Sequence, residues 1–198
     1  MRTDHRKHRQ SGHQILEFAL FAIVLVPLLL GTFVVGMNLS RAVLVSQLGR
    51  DAGSMYVRGV DFSQTPNQEV LVRLGQRLGM AVNGGRGVVI LSKLTYIAAG
   101  GCTQPCNAAK YVVTQRLVVG NSAARSSAFG PQGSVTLDAQ GNVANYVTDP
   151  NAVAPNFGNT LTMNGGEFVY VTETYFPSPD FDLPGYQSGS GVYSVAFY

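Results

Sequence analysis

The chain has 198 residues, of which 13% are charged, whereas ordinary soluble domains have about 25%. Its formal net charge of +3 lies before residue 13, where Arg2, Arg6, Lys7 and Arg9 outnumber Asp4; the other residues are formally neutral. A neutral body gives no reason to expect a nucleic-acid partner, which requires a basic face on the folded domain. The length allows one modest domain beside an anchor.

An apolar run of 20 residues, from Phe18 to Met37, contains no ionisable side chain. A helix of this length spans about 30 Å, the thickness of the hydrocarbon core of a bilayer. A secretory signal has a shorter apolar core of roughly 7–15 residues and a small-residue cleavage site, and neither feature is found here. The basic residues before the run place the N-terminus in the cytoplasm. The sequence therefore predicts a retained single-pass helix with the body outside the cytoplasm.

The helical pattern continues beyond the membrane segment. Apolar side chains recur at i, i+3, i+7 and i+10 on one face: Val45, Leu48, Ala52 and Met55. Gly59 then supplies a favoured helix terminator. We expect one long helix over residues 13–59, whose amphipathic outer half needs a surface to pack on.

A second helix is predicted to begin at Thr65. Thr65 is a suitable N-cap, and Pro66 suits the first helical position. The expected buried stripe has four members at helical spacing: Val70, Leu74, Leu78 and Ala81. The glycine pair at 84–85 is expected to end this helix.

Runs of β-branched and aromatic residues predict the strands. Four are expected over residues 87–97, 110–120, 167–176 and 191–198, with a further short strand at 134–138. An antiparallel sheet of about four strands on the long helix hides the apolar faces of both, so the fold class is α+β. The domain outside the membrane then covers residues 60–198. Within it, residues 121–166 are too long for a compact loop and are either a functional surface or poorly ordered.

Cys102 and Cys106 lie in the connection between the first two predicted strands. The three histidines, His5, His8 and His13, all precede residue 14, so the outer domain cannot assemble a four-ligand zinc site. Export from the cytoplasm favours a local disulfide between the two cysteines. Two free thiols in a turn are the alternative.

The position of the histidines also bears on catalysis, because Ser-His-Asp and Cys-His arrangements need an imidazole beside the nucleophile. The sequence contains no G-x-S-x-G, Walker A or H-E-x-x-H motif. The nearest group of carboxylates, Glu167, Glu173, Asp180 and Asp182, is interpreted as solvated surface. We therefore expect a protein that is not an enzyme and that has no cofactor or metal.

Glu17 stands at the edge of the apolar run, where a carboxylate is costly and tends to pair or to mark a function. A cut between Gly12 and His13 would remove the basic leader, residues 1–12. It would also create a positive α-amine on His13, four residues before Glu17. The Glu17 carboxylate could pair with this amine in its own chain or in a neighbouring one.

These residues carry a resemblance. The pattern of Gly12, four residues and Glu17, after a basic leader and before an apolar helix, resembles the type IV prepilin signal. More narrowly, GHQILEFALFAIVLVPLLLG is similar to the opening of TadE-like proteins, the minor pilins or pseudopilins of tight-adherence (Flp-type) pilus systems. LSRAVLVSQLGRDAGSMYVRG resembles their helix after the membrane, and EFVYVTETYF resembles their sheet ending.

The resemblance implies a pilin-like fold and cleavage after Gly12 by a membrane prepilin peptidase. The implied partners are that peptidase, other pilins, the pilus assembly platform and membrane lipid. The implied location is the bacterial inner membrane with a periplasmic domain, or the cell exterior once assembled in a pilus for adhesion or secretion. Pro27 would kink the helix for filament packing, or is a tolerated membrane proline. The alternative function is an uncleaved, single-pass periplasmic binding or adhesion module.

Overall fold

The computed structural model of the protein describes residues 11–103, 105–131, 133–178 and 191–198, with side chains from residue 13 onward. The basic leader up to residue 10, and Asp180 and Asp182, lie outside these residues. The chain divides into two compact units, Met1–Ser40 and Arg41–Tyr198. The second unit contains the whole sheet.

The long N-terminal helix, α1, runs without interruption over Ser11–Val57. In its outer part, residues 41–57, the predicted buried face is confirmed: Val45, Leu48 and Ala52 are buried, and Met55 is half-buried. Tyr56, which the sequence pattern did not assign, is buried on the same face. The helix ends before Gly59, whose φ of +85° favours glycine.

The second helix, α2, is shorter than predicted and covers Thr65–Leu74. Its N-cap is Gln64 rather than Thr65, and no side chain caps it. The predicted stripe is also wrong, since Val70 and Leu74 are exposed, Ala81 is half-buried and only Leu78 is buried. Leu71, one residue along from the expected stripe, is the buried residue of α2.

Gly75, the residue after α2, is closely packed. A Cβ atom at position 75 would lie 2.8 Å from Met80 Sδ and 3.3 Å from Leu48 Cδ2. The α-helix stops at this contact, and a single 3₁₀ turn follows over Gln76–Leu78. The predicted end at glycines 84–85 therefore comes about ten residues too late.

The four predicted strands are present as β1 Val88–Ile97, β2 Lys110–Gly120, β3 Phe168–Phe176 and β4 Val192–Phe197. They form one antiparallel sheet in the order β2-β1-β3-β4. The β1–β2 register shifts between Lys93 and Leu94. The short strand predicted at 134–138 is reduced to a single antiparallel bridge between Leu137 and Val143. Asp138 turns the chain back there by accepting backbone hydrogen bonds from Gln140 and Asn142.

One face of the sheet packs on α2 and the outer part of α1. The glycines of α1 allow a close approach: a Cβ at Gly49 would lie 2.8 Å from Thr174 Oγ1. Near the end of the helix, the Tyr56 and Tyr170 rings meet edge to face, with centroids 5.1 Å apart. The predicted packing of helix on sheet, and with it the α+β fold class, is confirmed.

Residues 121–166, the cover segment, lie over part of the other face. Their buried apolar residues pack against the strand residues Leu94, Val113, Val169 and Val171. The buried set within the cover segment is Val143, Ala152, Ala154, Phe157 and Met163. Regular structure in the described part of this segment is limited to two 3₁₀ turns, Pro150–Ala152 and Phe157–Asn159. The cover segment is thus an irregular layer that completes the core.

Gly53→Ala tests the contact between α1 and the sheet. A Cβ at position 53 would overlap the Tyr198 ring and lie 2.7 Å from Thr172 Oγ1. We expect a loss of about 1–3 kcal/mol in the free energy of unfolding, measured by circular dichroism on the full chain in detergent. Gly36→Ala, in the same helix with open space around it, is the control and should cause no loss. Equal stability of the two variants would contradict this packing.

Candidate functional site

Residues 18–37 of α1, the apolar span, present large hydrophobic side chains to the surroundings. Phe18 is 75% exposed, Phe21 67% and Ile23 69%. Across the described residues, α1 alone is long and apolar enough to cross a membrane. So large an apolar surface is rare on a soluble monomer and marks a site of contact with lipid or protein. The helix is therefore suited to be a membrane anchor or a signal segment.

The predicted cleavage and charge residues lie in the first turns of α1. Since the helix begins at Ser11, the Gly12–His13 bond falls in its first turn. Glu17 is exposed and follows His13 by four residues. Residues at this spacing are neighbours on a helix surface, with Cβ atoms about 5–6 Å apart. The helix thus holds the Glu17 carboxylate one turn from position 13.

Pro27 lies inside α1, and the helix is continuous on both sides of it. A proline removes one backbone hydrogen bond, so this turn is held less firmly than its neighbours. Further along the helix, the Thr32 hydroxyl donates to Leu29 O at 2.9 Å. The kink expected at Pro27 in a packed filament stays a prediction.

Cys102 and Cys106 are joined by a disulfide in the β1–β2 connection. The next residue, Asn107, is buried and ties this connection to the cover segment. Its side-chain amide donates to Tyr146 O at 2.9 Å and to Asp149 O at 2.7 Å, and its backbone N–H donates to Val147 O at 2.7 Å. The cysteine loop is therefore fixed to the rest of the domain.

A half-open cavity of about 360 Å³ lies beside this loop, at the end of β1 and the start of β3. Its lining includes the aromatic residues Tyr96, Tyr146 and Phe168. Thr95 also lines it, but its hydroxyl donates to Glu167 O at 2.6 Å. The described lining residues include no carboxylate, imidazole or thiol. Such a cavity is suited to a ligand that makes apolar and aromatic contacts.

The interpretation of Glu173 as solvated surface is wrong. Its side chain is 1% exposed, on β3 between Ile90 of β1 and Val195 of β4. The carboxylate accepts hydrogen bonds from Tyr193 OH at 2.6 Å, from the backbone N–H of Ala128 at 2.7 Å and from the Ser127 hydroxyl. By contrast, Glu167 is exposed, as expected, and accepts two bonds from Asn164.

Two arginines lie near Glu173 or its donor Tyr193. Burial lowers the pKa of Arg116 to about 10, and the negative charge of Glu173 opposes that shift, so Arg116 stays a cation at neutral pH. The guanidinium of Arg125 lies 3.9 Å from the centroid of the Tyr193 ring and 5.4 Å from that of Tyr175. Burial raises the pKa of Tyr193, with a further rise from its bond to Glu173, so its hydroxyl remains a donor.

Glu173 and its three hydrogen-bond donors, Ser127, Ala128 and Tyr193, are called the Glu173 clamp, because their bonds connect separate parts of the chain. Each carboxylate oxygen is occupied by donors from the cover segment or β4, and these bonds hold residues 127–128 on the sheet. One sequence signal pointed to it: Glu173 is the single charge in a nine-residue strand and is flanked by Thr172 and Thr174, which are both buried.

The described residues include no group of three or more His, Cys, Asp or Glu side chains that could hold a metal ion. Comparison of the chain with models of protein families, with curated proteins and with solved structures gives no match.

Glu173→Gln should destabilise the domain. The substitution replaces one carboxylate oxygen with an NH₂ group, which then faces a buried N–H or O–H donor of Ser127, Ala128 or Tyr193. We expect a loss of about 2–4 kcal/mol in the free energy of unfolding, measured by thermal or denaturant unfolding of the full chain in detergent. Glu167→Gln, the same change at an exposed position just before β3, is the matched control and should leave stability unchanged. Similar stability of both variants would refute the clamp.

Proposed function

We propose that this chain is a TadE-like pseudopilin, a minor pilin that a prepilin peptidase processes and that takes part in assembly of a type IV (Flp-type) pilus. The observation that carries the proposal is the start of α1. There Glu17 stands one turn after the Gly12–His13 bond and directly before an apolar span whose side chains are exposed. The continuous helix from this span to a helix-on-sheet domain supports a pilin-like fold.

Cleavage after Gly12 would change both charge and solubility at the helix start. It removes Arg2, Arg6, Lys7 and Arg9, the charges that hold the N-terminus on the cytoplasmic side. It leaves an α-amine at His13, where the positive end of the helix dipole lies. The Glu17 carboxylate of the same or a neighbouring chain can neutralise this amine, which lowers the cost of both charges in hydrocarbon.

The apolar span takes no part in the core of the described domain. That core uses α1 residues from Leu44 to Tyr56. The span can therefore exchange lipid contacts for contacts with other pilin helices while the domain keeps its fold. In membranes such contacts depend on close helix packing and on polar pairs, and Glu17 supplies one half of a polar pair. The proposed role is thus structural, with assembly proteins as partners and the inner membrane as the starting location.

The mature N-terminus tests processing. In cells that have the prepilin peptidase, we expect intact-protein mass spectrometry to find a chain that begins at His13. Gly12→Ala should leave the leader attached, because the peptidase requires a small residue without a side chain at this position in the proposed signal. Loss of the peptidase should have the same effect on the unsubstituted chain.

An intact leader in the wild-type chain, unchanged by Gly12→Ala, would contradict the pseudopilin proposal. It would instead favour an uncleaved anchored module that binds its ligand outside the membrane. The aromatic cavity at Tyr96, Tyr146 and Phe168 is the specific feature that such a module would use.

Glu17→Ala separates processing from assembly. We expect cleavage after Gly12 to proceed, because Glu17 lies four residues beyond the bond, while incorporation into filaments falls strongly, because the amine loses its counter-charge. Sheared pili and membranes are compared by immunoblot for the amount of this chain in each. Gln14→Ala, a neutral change one residue after the cleavage site, is the control and should assemble normally. Normal incorporation of Glu17→Ala would rule out the charge-pairing role.

A further inference from the structure

The helix face of the sheet, which packs on α1 and α2, continues beyond the end of α1. Near that end, Tyr56 meets the Tyr170 ring of β3. Lys93 and Phe168 lie further along the same face, because side chains alternate along a strand and Lys93 is two residues from the core residue Leu91. Lys93 is half-buried, and Phe168 is 50% exposed. These residues, Tyr170, Lys93 and Phe168, are called the central strip, and they keep accessible surface beyond the helix.

The ammonium group of Lys93 lies beside two aromatic rings. Its Nζ atom is 4.3 Å from the centroid of the Phe168 ring and 5.4 Å from that of Tyr170. In the described part of the chain, these rings are its recorded contacts. Aromatic rings attract a cation but carry no net charge, so the positive charge is not neutralised. An incoming carboxylate would form a charge-assisted hydrogen bond with this ammonium.

Two acidic residues near the ends of the strip already accept hydrogen bonds from neighbouring residues. Glu167, just before β3, accepts two bonds from Asn164. Asp61, just after α1, accepts bonds from the backbone N–H of Ser63 at 2.9 Å and from its hydroxyl at 2.6 Å. Neither carboxylate is recorded as a partner of Lys93, so its charge is open to an external anion.

A half-open cavity lies at each end of the central strip. The aromatic cavity of about 360 Å³ includes Phe168 in its lining. A second cavity, of about 210 Å³, lies at the end of α1, and its lining includes Tyr170, Asp61, Gln115 and Gln140. Tyr170 and Phe168 are two positions apart on one strand, a distance of about 7 Å. The two cavities and the strip therefore follow one another along the sheet and form one groove.

The second cavity has polar groups with remaining capacity for hydrogen bonds. Gln115 Oε1 accepts from Tyr56 OH, and Gln115 Nε2 donates to Gln140 O, both at 2.8 Å. A side-chain amide has two N–H donors and an oxygen that accepts two bonds, so one donor and one acceptor position remain at Gln115. Hydroxyl groups suit such positions, because each hydroxyl both donates and accepts.

We propose that this groove binds an acidic oligosaccharide, with a sugar carboxylate on Lys93. A sugar ring has an apolar C–H face, which suits Phe168 and Tyr170, and a rim of hydroxyls, which suits the amide of Gln115. An extended peptide fits less well, because β1 and β3 are interior strands without a free edge for its backbone hydrogen bonds. The inference concerns the folded domain and is independent of cleavage after Gly12.

Isothermal titration calorimetry of the full chain in detergent tests this site, with tetragalacturonate as the acidic probe and maltotetraose as the uncharged one. We expect tetragalacturonate to bind more tightly, and K93Q to weaken its binding about tenfold. K110Q removes the same charge from an exposed lysine at the start of β2. It is the matched control and should bind like the wild type.

F168A tests the aromatic contact and should weaken binding of tetragalacturonate about fivefold. V118A is its control, because it truncates an apolar side chain that is 40% exposed on the opposite face of the sheet, and it should bind like the wild type. Circular dichroism verifies that each variant is folded. The basic leader is present in every variant, so its charge cancels in the comparison.

Tetraglutamate distinguishes an acidic sugar from an acidic peptide, because it has four carboxylates and no sugar ring. It should bind the wild-type chain at least tenfold more weakly than tetragalacturonate. Absence of tetragalacturonate binding, or equal affinity of wild type and K93Q for it, would overturn the proposal. Tetraglutamate or maltotetraose binding as tightly as tetragalacturonate would also overturn it, in favour of an acidic peptide or a neutral sugar. An equal loss of affinity in K110Q and K93Q would reduce it to general charge attraction.

Discussion

The close contact between the outer part of α1 and the sheet is the interaction on which the domain depends. Gly49 and Gly53 bring the helix backbone within reach of Thr174, Thr172 and Tyr198, and the apolar side chains between them fill the core. A side chain at either glycine would push helix and sheet apart. The same helix also carries the exposed apolar span, so its two parts have different sequences. Before Ser40, large apolar side chains are exposed around the helix; after Ser40, one face with two glycines packs on the sheet.

The helices cover one face of the sheet. On the other face, the irregular cover segment takes the place of a second layer of regular structure. The cover segment packs its apolar side chains on the sheet. Many of its backbone groups form hydrogen bonds within turns or with the edge strand β2. The Glu173 clamp adds a polar connection inside that interface. A buried carboxylate with all of its bonds made selects one arrangement of the segment, because any other leaves the charge unpaired.

The elements with strong periodicity were predictable from the sequence. Helix α1, its buried face and the four strands follow from patterns within single segments. The stripe of α2 was wrong because the α-helix ends at Leu74, before Leu78 and Ala81, and because Leu71 rather than Val70 is its buried residue. The cover segment could not be predicted, since Val143, Ala152 and Phe157 share no spacing that indicates burial. Glu173 looked like a surface residue because its partners Ser127 and Tyr193 are 46 and 20 residues away in the chain, and only the folded sheet brings them together.

Tyr198 contacts helix α1, which is synthesised much earlier. Its hydroxyl donates to Arg50 O, 148 residues before it, and its backbone pairs with Tyr170. At a synthesis rate of about 5–20 residues per second, the apolar face of α1 emerges roughly 7–30 s before this last contact can form. The sheet therefore cannot be completed until the last strand, β4, and Tyr198 have been made. During that interval the face of α1 that packs on the sheet stays uncovered, and the incomplete chain is open to aggregation and proteolysis.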